Sequence, residues 1–161
     1  MISTEHWLVH EHTQFEVLVK ECRTAIEITD WWATEQFLKK MFEELRYHMA
    51  QEEEILFPAY DKKCESSASH GSTLELYNEH SVIIDGFRKL KKAVDSRSAE
   101  DAFELVVDLE LLLLEHNKKE EQTFLPFASH LLFDDREELA LKLNNFMVTN
   151  KSRNWGVEPL H

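Results

Sequence analysis

The sequence repeats itself at an offset of 68 residues, and this repeat limits the possible folds more than any other feature. Histidines and glutamates far apart in the chain obey one offset (80 − 12 = 116 − 48 = 120 − 52 = 68), and so do their neighbours. The equivalent pairs are His12 and His80, His48 and His116, Glu52 and Glu120, Glu11 and Glu79, Leu45 and Leu113, Glu53 and Glu121, and Pro58 and Pro126. A repeat of this length indicates a helical hairpin used twice. We therefore predict two hairpins related by an approximate two-fold axis.

Four long segments have the pattern of amphipathic helices. Apolar residues recur in each at spacings of three and four, as on the buried face of a helix, and the stripes of the second and fourth segments continue to Ile55 and Thr123. The chain contains only three glycines and three prolines, so few positions interrupt these patterns. The segments cover about residues 4–28, 32–63, 72–94 and 98–132, with Ser98 as a candidate helix cap and 64–71 as a polar linker.

These patterns predict an all-α fold. Short connections favour an antiparallel up-down-up-down four-helix bundle, with a short fifth C-terminal helix at about residues 136–148. The length of 161 residues suits one domain over 1–161, with the bundle at about 4–132 and the C-terminal helix and tail at 133–161. The prolines at 58 and 126 are interpreted as helix kinks or stops.

The charge of the chain limits its partners and its location. A formal net charge of −13 disfavours nucleic acid and anionic membrane surfaces as partners. The longest apolar run, Leu111 to Leu114, is too short to span a bilayer, and the N-terminus has no secretory signal pattern. Two cysteines, Cys22 and Cys64, do not make a disulfide framework. We therefore expect a cytoplasmic protein with free thiols.

Six polar residues interrupt the apolar stripes at matching depths. They are His12, His48, Glu52, His80, His116 and Glu120. In each His-x-x-x-Glu pair the two side chains lie on one helix face. Burying two carboxylates is costly without a positive partner, and the stripes contain no lysine or arginine. Mixed nitrogen and oxygen donors suit iron, manganese or zinc, so the pattern predicts a two-metal site.

The motifs His48-Met-Ala-Gln-Glu52-Glu and His116-Asn-Lys-Lys-Glu120-Glu each end in a proline six residues after the glutamate. Together with the partner histidines at 12 and 80, they resemble the hemerythrin-like (HHE cation-binding) family over about residues 5–130. The resemblance implies one hemerythrin-like domain with two iron ions joined by an oxo or hydroxo bridge, for which zinc or manganese are possible substitutes. It also implies that His12 and His48 ligate one iron, that His80 and His116 ligate the other, and that Glu52 and Glu120 bridge them.

One departure from this family bears on function. Its oxygen carriers have a further histidine one turn away on the third helix, where this chain has Leu76 and Ile84 on either side of His80. This departure favours sensing or redox chemistry with a small ligand such as O2, NO or peroxide over reversible oxygen carriage. An iron store, an iron-centre repair protein and a structural zinc bundle are the alternatives. Enzymatic turnover is left open, no catalytic residue is assigned, and a sensor would require a separate protein partner.

The glutamates next to the predicted ligands allow two interpretations. Glu11, Glu53, Glu79 and Glu121 each adjoin a ligand candidate, and adjacent helix positions point about 100° apart. This angle favours solvated flanking residues. The alternative is that they accept hydrogen bonds from the imidazoles of the ligands.

Overall fold

The computed structural model describes residues 4–66 and 73–150 of the chain, with side chains from 11–65 and 73–150. Within these ranges five helices are present and no residue is in a strand. Helix α1 is Thr4–Glu27, and α2 consists of Trp31–Gln51 and Phe57–Ser66 joined by a π-helical turn, Glu52–Leu56. Helix α3 is Leu74–Asp95, and α4 consists of Ala99–Lys119 and Leu125–Leu131 joined by a second π-helical turn, Glu120–Phe124. After a 3-10 turn at Phe133–Asp135, α5 is Arg136–Asn150.

The first four helices form the predicted antiparallel bundle. Helix α1 packs against α2 and α4, and α3 packs against α4 and α2. Helices α1 and α4 are antiparallel, because His12 near the start of α1 contacts Glu121, whereas Arg23 near its end contacts the earlier residue Glu110. The predicted all-α fold is therefore confirmed. Among the described residues, none of the helices combines the length and apolar character needed to cross a bilayer.

The two hairpins repeat each other down to their turns. Thr29 and Arg97, which are 68 residues apart, both adopt left-handed backbone conformations with φ of 54° and 55°. In each turn, the residue after the left-handed one donates its N–H to a carbonyl five residues earlier. The distance is 2.9 Å for Asp30 and 3.0 Å for Ser98. This is a helix-ending bond pattern that usually has glycine at the left-handed position. The backbone geometry of the hairpin is thus conserved between the halves without a glycine to mark it.

The caps of α2 and α4 differ although their backbones match. The Asp30 carboxylate accepts a hydrogen bond of 3.0 Å from the Ala33 N–H, as an N-terminal cap does. Ser98 occupies the predicted cap position of α4, but its side chain makes no capping bond. Its hydroxyl donates instead to the Asp101 carboxylate at 2.9 Å. The prediction that Ser98 caps α4 is therefore right about the position and wrong about the side-chain bond.

The core consists of two hydrophobic clusters on either side of a polar layer, which we define as the six predicted ligands. The larger cluster fills the bundle towards the hairpin turns and includes Phe15, Met41 and Leu109. The smaller cluster lies beyond the polar layer and includes Phe57 and Leu125. Burying side chains of this size stabilises the fold by about 1.5–3 kcal/mol each.

The two π-helical turns begin at Glu52 and Glu120, and they change which residues after these glutamates lie on the buried face. The N–H of Phe57 bonds to the carbonyl of Glu52, five residues earlier, and the second turn repeats this bond. Proline at 58 has no N–H to donate and would clash with a carbonyl in a regular α-helix. The wider turn accommodates the proline, so that the helix continues instead of stopping.

The extra residue in each π turn changes which side chains are buried. Thr123 is exposed and Ile55 is only half-buried, whereas the next residues, Phe124 and Leu56, are buried. Buried positions then recur every four residues at 48, 52, 56, 60 and 64 and at 116, 120, 124, 128 and 132. The prediction that Thr123 lies on a buried stripe is therefore wrong, because it assumed an unbroken α-helical period. Ile55 packs only partly against the smaller cluster, so the prediction for Ile55 is confirmed in part.

Two predicted boundaries also move. Helix α2 extends to Ser66, so Cys64 is a buried helical residue and not part of a linker. Residues 67–72 of the predicted linker and the tail after residue 150 lie outside the described residues. Helix α5 packs against the π turn of α2, where its Leu139 and Phe146 are buried.

Candidate metal centre

The structure brings all six predicted ligands into one buried layer. Each is at most 3% exposed. Their nitrogen and oxygen atoms form two groups, in each of which the candidate donor atoms lie within 4.8 Å of one another. The groups are His12 and His48 with both glutamates, and His80 and His116 with the same two glutamates. Each of the four helices of the bundle contributes at least one of these residues, and their role as metal ligands stays a prediction.

Each glutamate spans both histidine pairs. Glu52 places Oε1 at 3.1 Å from Nε2 of His48 and Oε2 at 3.1 Å from Nε2 of His80. Glu120 also spans both pairs, with Oε2 at 3.2 Å from Nε2 of His12 and Oε1 at 2.9 Å from Nε2 of His116. A carboxylate that reaches one histidine pair with each oxygen has the arrangement of a bridge between two cations. The i,i+4 spacing and the following π turn orient both carboxylates into the layer.

The donor atoms of the layer fit cations because their lone pairs lack partners. Among the residues that the structure describes, none makes a hydrogen bond of normal geometry to the four carboxylate oxygens of Glu52 and Glu120, although all four are buried. The Nε2 atoms of His12 and His48 lie 3.1 Å apart, and those of His80 and His116 are also 3.1 Å apart. Lone pairs held this close in a buried site repel each other unless a proton or a metal ion lies between them.

A second set of carboxylates orients the four imidazoles. Nδ1 of His12 lies 2.9 Å from Glu121, and Nδ1 of His80 lies 2.8 Å from Glu53. The remaining pairs follow the same repeat: Nδ1 of His116 lies 2.8 Å from Glu79, and Nδ1 of His48 contacts Glu11. In every pair the carboxylate comes from a neighbouring helix. An imidazole that donates from Nδ1 presents the Nε2 lone pair to the layer, as metal ligands do.

The structure therefore corrects the favoured interpretation of Glu11, Glu53, Glu79 and Glu121. They are not merely solvated flanking residues, because each accepts a hydrogen bond from a histidine across a helix interface. The 100° angle between adjacent positions explains this, since it turns each carboxylate away from its own neighbour and towards the next helix. The repeat offset, which all four obey, was the available signal in the sequence.

The electrostatics of the layer favour positive charge. Burial alone would lower the pKa of the His48 imidazole, but the Glu52 charge and the Glu11 carboxylate raise it to about 10. Burial also acts against protonation of His80, where contacts with Glu120 and Glu52 raise the pKa to about 11. Burial would raise the pKa of Glu120, but contacts with three imidazoles hold it well below its usual value. The layer is therefore a buried anionic site whose charge favours protons or metal cations.

Apolar side chains enclose the layer. The Phe57 ring stacks on His80 with centroids 5.6 Å apart, and the Phe15 ring meets the edge of His48 at 5.2 Å. Leu76 is buried in the smaller cluster and Ile84 in the larger one, so they lie on opposite sides of the layer. The structure thus places hydrocarbon, and no additional donor, at the positions one turn on either side of His80.

Comparison with known proteins identifies one family. The model of the hemerythrin HHE cation binding domain matches residues 3–128, which include all six residues of the polar layer. No curated protein and no solved structure matches the chain significantly. The predicted resemblance over about residues 5–130 is confirmed by this match.

Proposed function

Because this chain belongs to the hemerythrin HHE cation-binding family, we propose that it is a non-haem di-iron protein whose centre binds, senses or reacts with a small ligand. His12 and His48 would hold one iron, and His80 and His116 would hold the other. O2, NO and peroxide are the ligands that we propose.

The observation that carries this proposal is the reach of the two glutamates. One oxygen of Glu52 lies 3.1 Å from His48 and the other lies 3.1 Å from His80, so one carboxylate serves both histidine pairs. Glu120 completes the same arrangement from α4. Nitrogen and carboxylate donors without thiolate suit iron, manganese and zinc, and among these the proposal favours iron. An iron pair held there would supply two adjacent Lewis-acidic, redox-active ions to one small ligand.

The protein contributes orientation and exclusion of water. The carboxylates of Glu53 and Glu121 hold the imidazoles of His80 and His12 with Nε2 facing the layer. The near-complete burial of the layer excludes bulky substrates and favours ligands of two or three non-hydrogen atoms. Leu76 and Ile84 supply no further donor beside His80, which leaves coordination positions for an exogenous ligand. We therefore place this protein with sensors or redox proteins and not with oxygen carriers.

Metal analysis together with the optical spectrum of the purified protein tests the proposal. We expect two irons per chain and near-ultraviolet absorption from the ferric pair. His80→Ala should lose this absorption and at least one iron. His130→Ala is the matched control, because His130 is exposed and has no histidine at its repeat position. A colourless protein with stoichiometric zinc, or an iron content unaffected by His80→Ala, would overturn the proposal.

A further inference from the structure

The outer face of α4 carries a row of apolar side chains, which we call the α4 stripe: Phe103, Val107, Leu111 and Leu114. Phe103 is 36% exposed, Leu111 54% and Leu114 38%, while Val107 is half-buried. Spacings of four, four and three residues place them on one side of the helix. The opposite side of α4 faces the core through Val106, Leu109 and Leu113, and Val107 also packs partly against that core. The other three stripe side chains stay exposed, so the bundle leaves most of the stripe uncovered.

The internal repeat supplies a control for this face. Subtracting 68 from the stripe positions gives residues 35, 39, 43 and 46, which are Glu35, Lys39, Glu43 and Arg46 on α2. These side chains are charged, with Lys39 pairing with Glu43 at 3.9 Å and Arg97 pairing with Glu35 at 2.8 Å. The same position in the same fold thus accepts charged side chains, two of them exposed and two half-buried. The apolar residues on α4 therefore indicate a contact that α2 does not make.

The charges beside the stripe indicate what that contact is. Three acidic residues of α4, at 101, 104 and 108, line a groove together with Lys89 and Lys92 of α3, so basic groups lie near them. Glu100, Glu115 and Lys118 remain beside the stripe and are exposed. Glu100 lies before Phe103 at one end of the stripe, and Lys118 lies after Leu114 at the other. Glu100 and Lys118 thus carry opposite charges at the two ends of the stripe, and each can face the other when a second copy is turned around.

We propose that the α4 stripe is the interface of a homodimer in which two α4 helices pack antiparallel about a two-fold axis. With the axis between Val107 and Leu111, these two residues face each other across the interface, and Phe103 lies near Leu114 of the other copy. Glu100 of each copy then lies opposite Lys118 of the other. The helix dipoles also run in opposite directions, which is favourable. Twofold dimers with one self-complementary patch are the commonest oligomers.

The size of the stripe determines how tight this dimer can be. From Glu100 to Lys118 the helix rises about 27 Å, since each residue adds about 1.5 Å. One helix face of this length, with its flanks, buries an area near the lower limit of about 1,000 Å² for specific interfaces. We therefore expect a reversible dimer whose population depends on protein concentration.

Sedimentation velocity of the metal-loaded full chain, over roughly a hundredfold range of concentration, tests the proposal. Wild-type protein should shift from monomer to dimer. Leu111→Glu should raise the dissociation constant at least about tenfold, as removal of a central interface anchor does. This variant should fold, because the chain already has glutamate at the equivalent position 43. Lys39→Glu, a charge change on the equivalent face of α2, is the control and should dimerise like the wild type.

Charge reversal tests the antiparallel geometry. Glu100→Lys and Lys118→Glu should each weaken the dimer, and the double variant should restore it, since opposite charges again meet across the two-fold axis. Circular dichroism and metal content should stay unchanged in all variants. A chain that is monomeric throughout the range, a dimer insensitive to Leu111→Glu, or a double variant without rescue would each overturn the proposal.

Discussion

Replacing Glu52 by glutamine tests the proposal that its carboxylate bridges two metal ions. The substitution preserves the size and the helical context of the side chain and removes one negative charge. Its oxygens lie 3.1 Å from both His48 and His80, so the loss should affect both metal positions at once. Glu53→Gln is the matched control, because it makes the same change at the next residue, where the carboxylate contacts Nδ1 of His80 and lies outside the polar layer.

The structure allows the two effects to be ranked. Glu52 is 1% exposed, and removing one partner of a buried ionic cluster costs about 3–5 kcal/mol. At about 1.4 kcal/mol for each tenfold change, this corresponds to a loss of roughly a hundred- to several thousandfold in metal affinity. Substituting a residue that only orients a ligand typically costs about 10–100-fold. Glu52→Gln should therefore leave at most one metal per chain, whereas Glu53→Gln should retain two with weaker binding.

Chelator competition followed by metal analysis measures the metal affinity of each variant. The thermal midpoint of each metal-loaded variant reports the stability that metal binding contributes. Glu52→Gln should lower that midpoint more than Glu53→Gln, because metal binding contributes to folding. If Glu52→Gln retains two metals within tenfold of the wild-type affinity, Glu52 does not bridge. Equal losses in the two variants would also contradict the distinction between bridging and orienting carboxylates.

Three further predictions follow from the site and the core. In metal-free protein, the pKa values of His48 and His80 are raised to about 10 and 11. Protonation of these imidazoles therefore stabilises the fold fully below pH 6.5, and this stabilisation is lost as the pH rises through the raised values. Chemical denaturation should show a free energy of unfolding that falls from pH 6.5 to 10. Metal-loaded protein should show a smaller fall or a rise, because metal binding needs neutral imidazole; parallel curves would refute this. Because Leu76 and Ile84 add no donor beside His80, stopped-flow mixing of reduced protein with O2 should show rapid oxidation, and oxygen binding that is reversible over many minutes would contradict it. Burial raises the pKa of the Cys22 thiol to about 12, so a thiol reagent at neutral pH should react with it only after denaturant is added; modification of native protein at the rate of a free thiol would refute its burial.

The sequence was sufficient to predict the bundle and the polar layer because both depend on side-chain periodicity. His12 and His80 obey the repeat offset, and the structure places them in one layer. The positions of the hairpin turns were predicted from the sequence, but their backbone conformations were not. Thr29 and Arg97 adopt left-handed conformations, which glycine or asparagine normally occupy. A threonine or an arginine in the sequence does not indicate such a turn.

The π turns escaped prediction because the stripes were continued with regular α-helical spacing. A side chain four residues further along an α-helix is rotated by about 40° beyond a full turn, so a long run of such steps leaves the buried face. Buried positions separated by four residues from His48 to Cys64 therefore require an extra residue in the helix. Proline six residues after each predicted ligand glutamate was the visible cause, since it disfavours the regular bond pattern there.

The division of the core by the polar layer has a consequence for how the protein unfolds. The cluster around Phe57 and Leu125 touches the larger cluster mainly across six polar side chains, which a bound metal pair would join into one unit. Without metal, the two clusters meet across ion pairs between protonated imidazoles and the two glutamates, which are lost as the pH rises. The smaller half also has fewer buried side chains to keep it folded. Backbone amides at 57–66 and 125–131 should then exchange with solvent deuterium through partial opening, ahead of those in Leu38–Leu45. We therefore expect metal content to determine whether the bundle unfolds as one cooperative unit or as two.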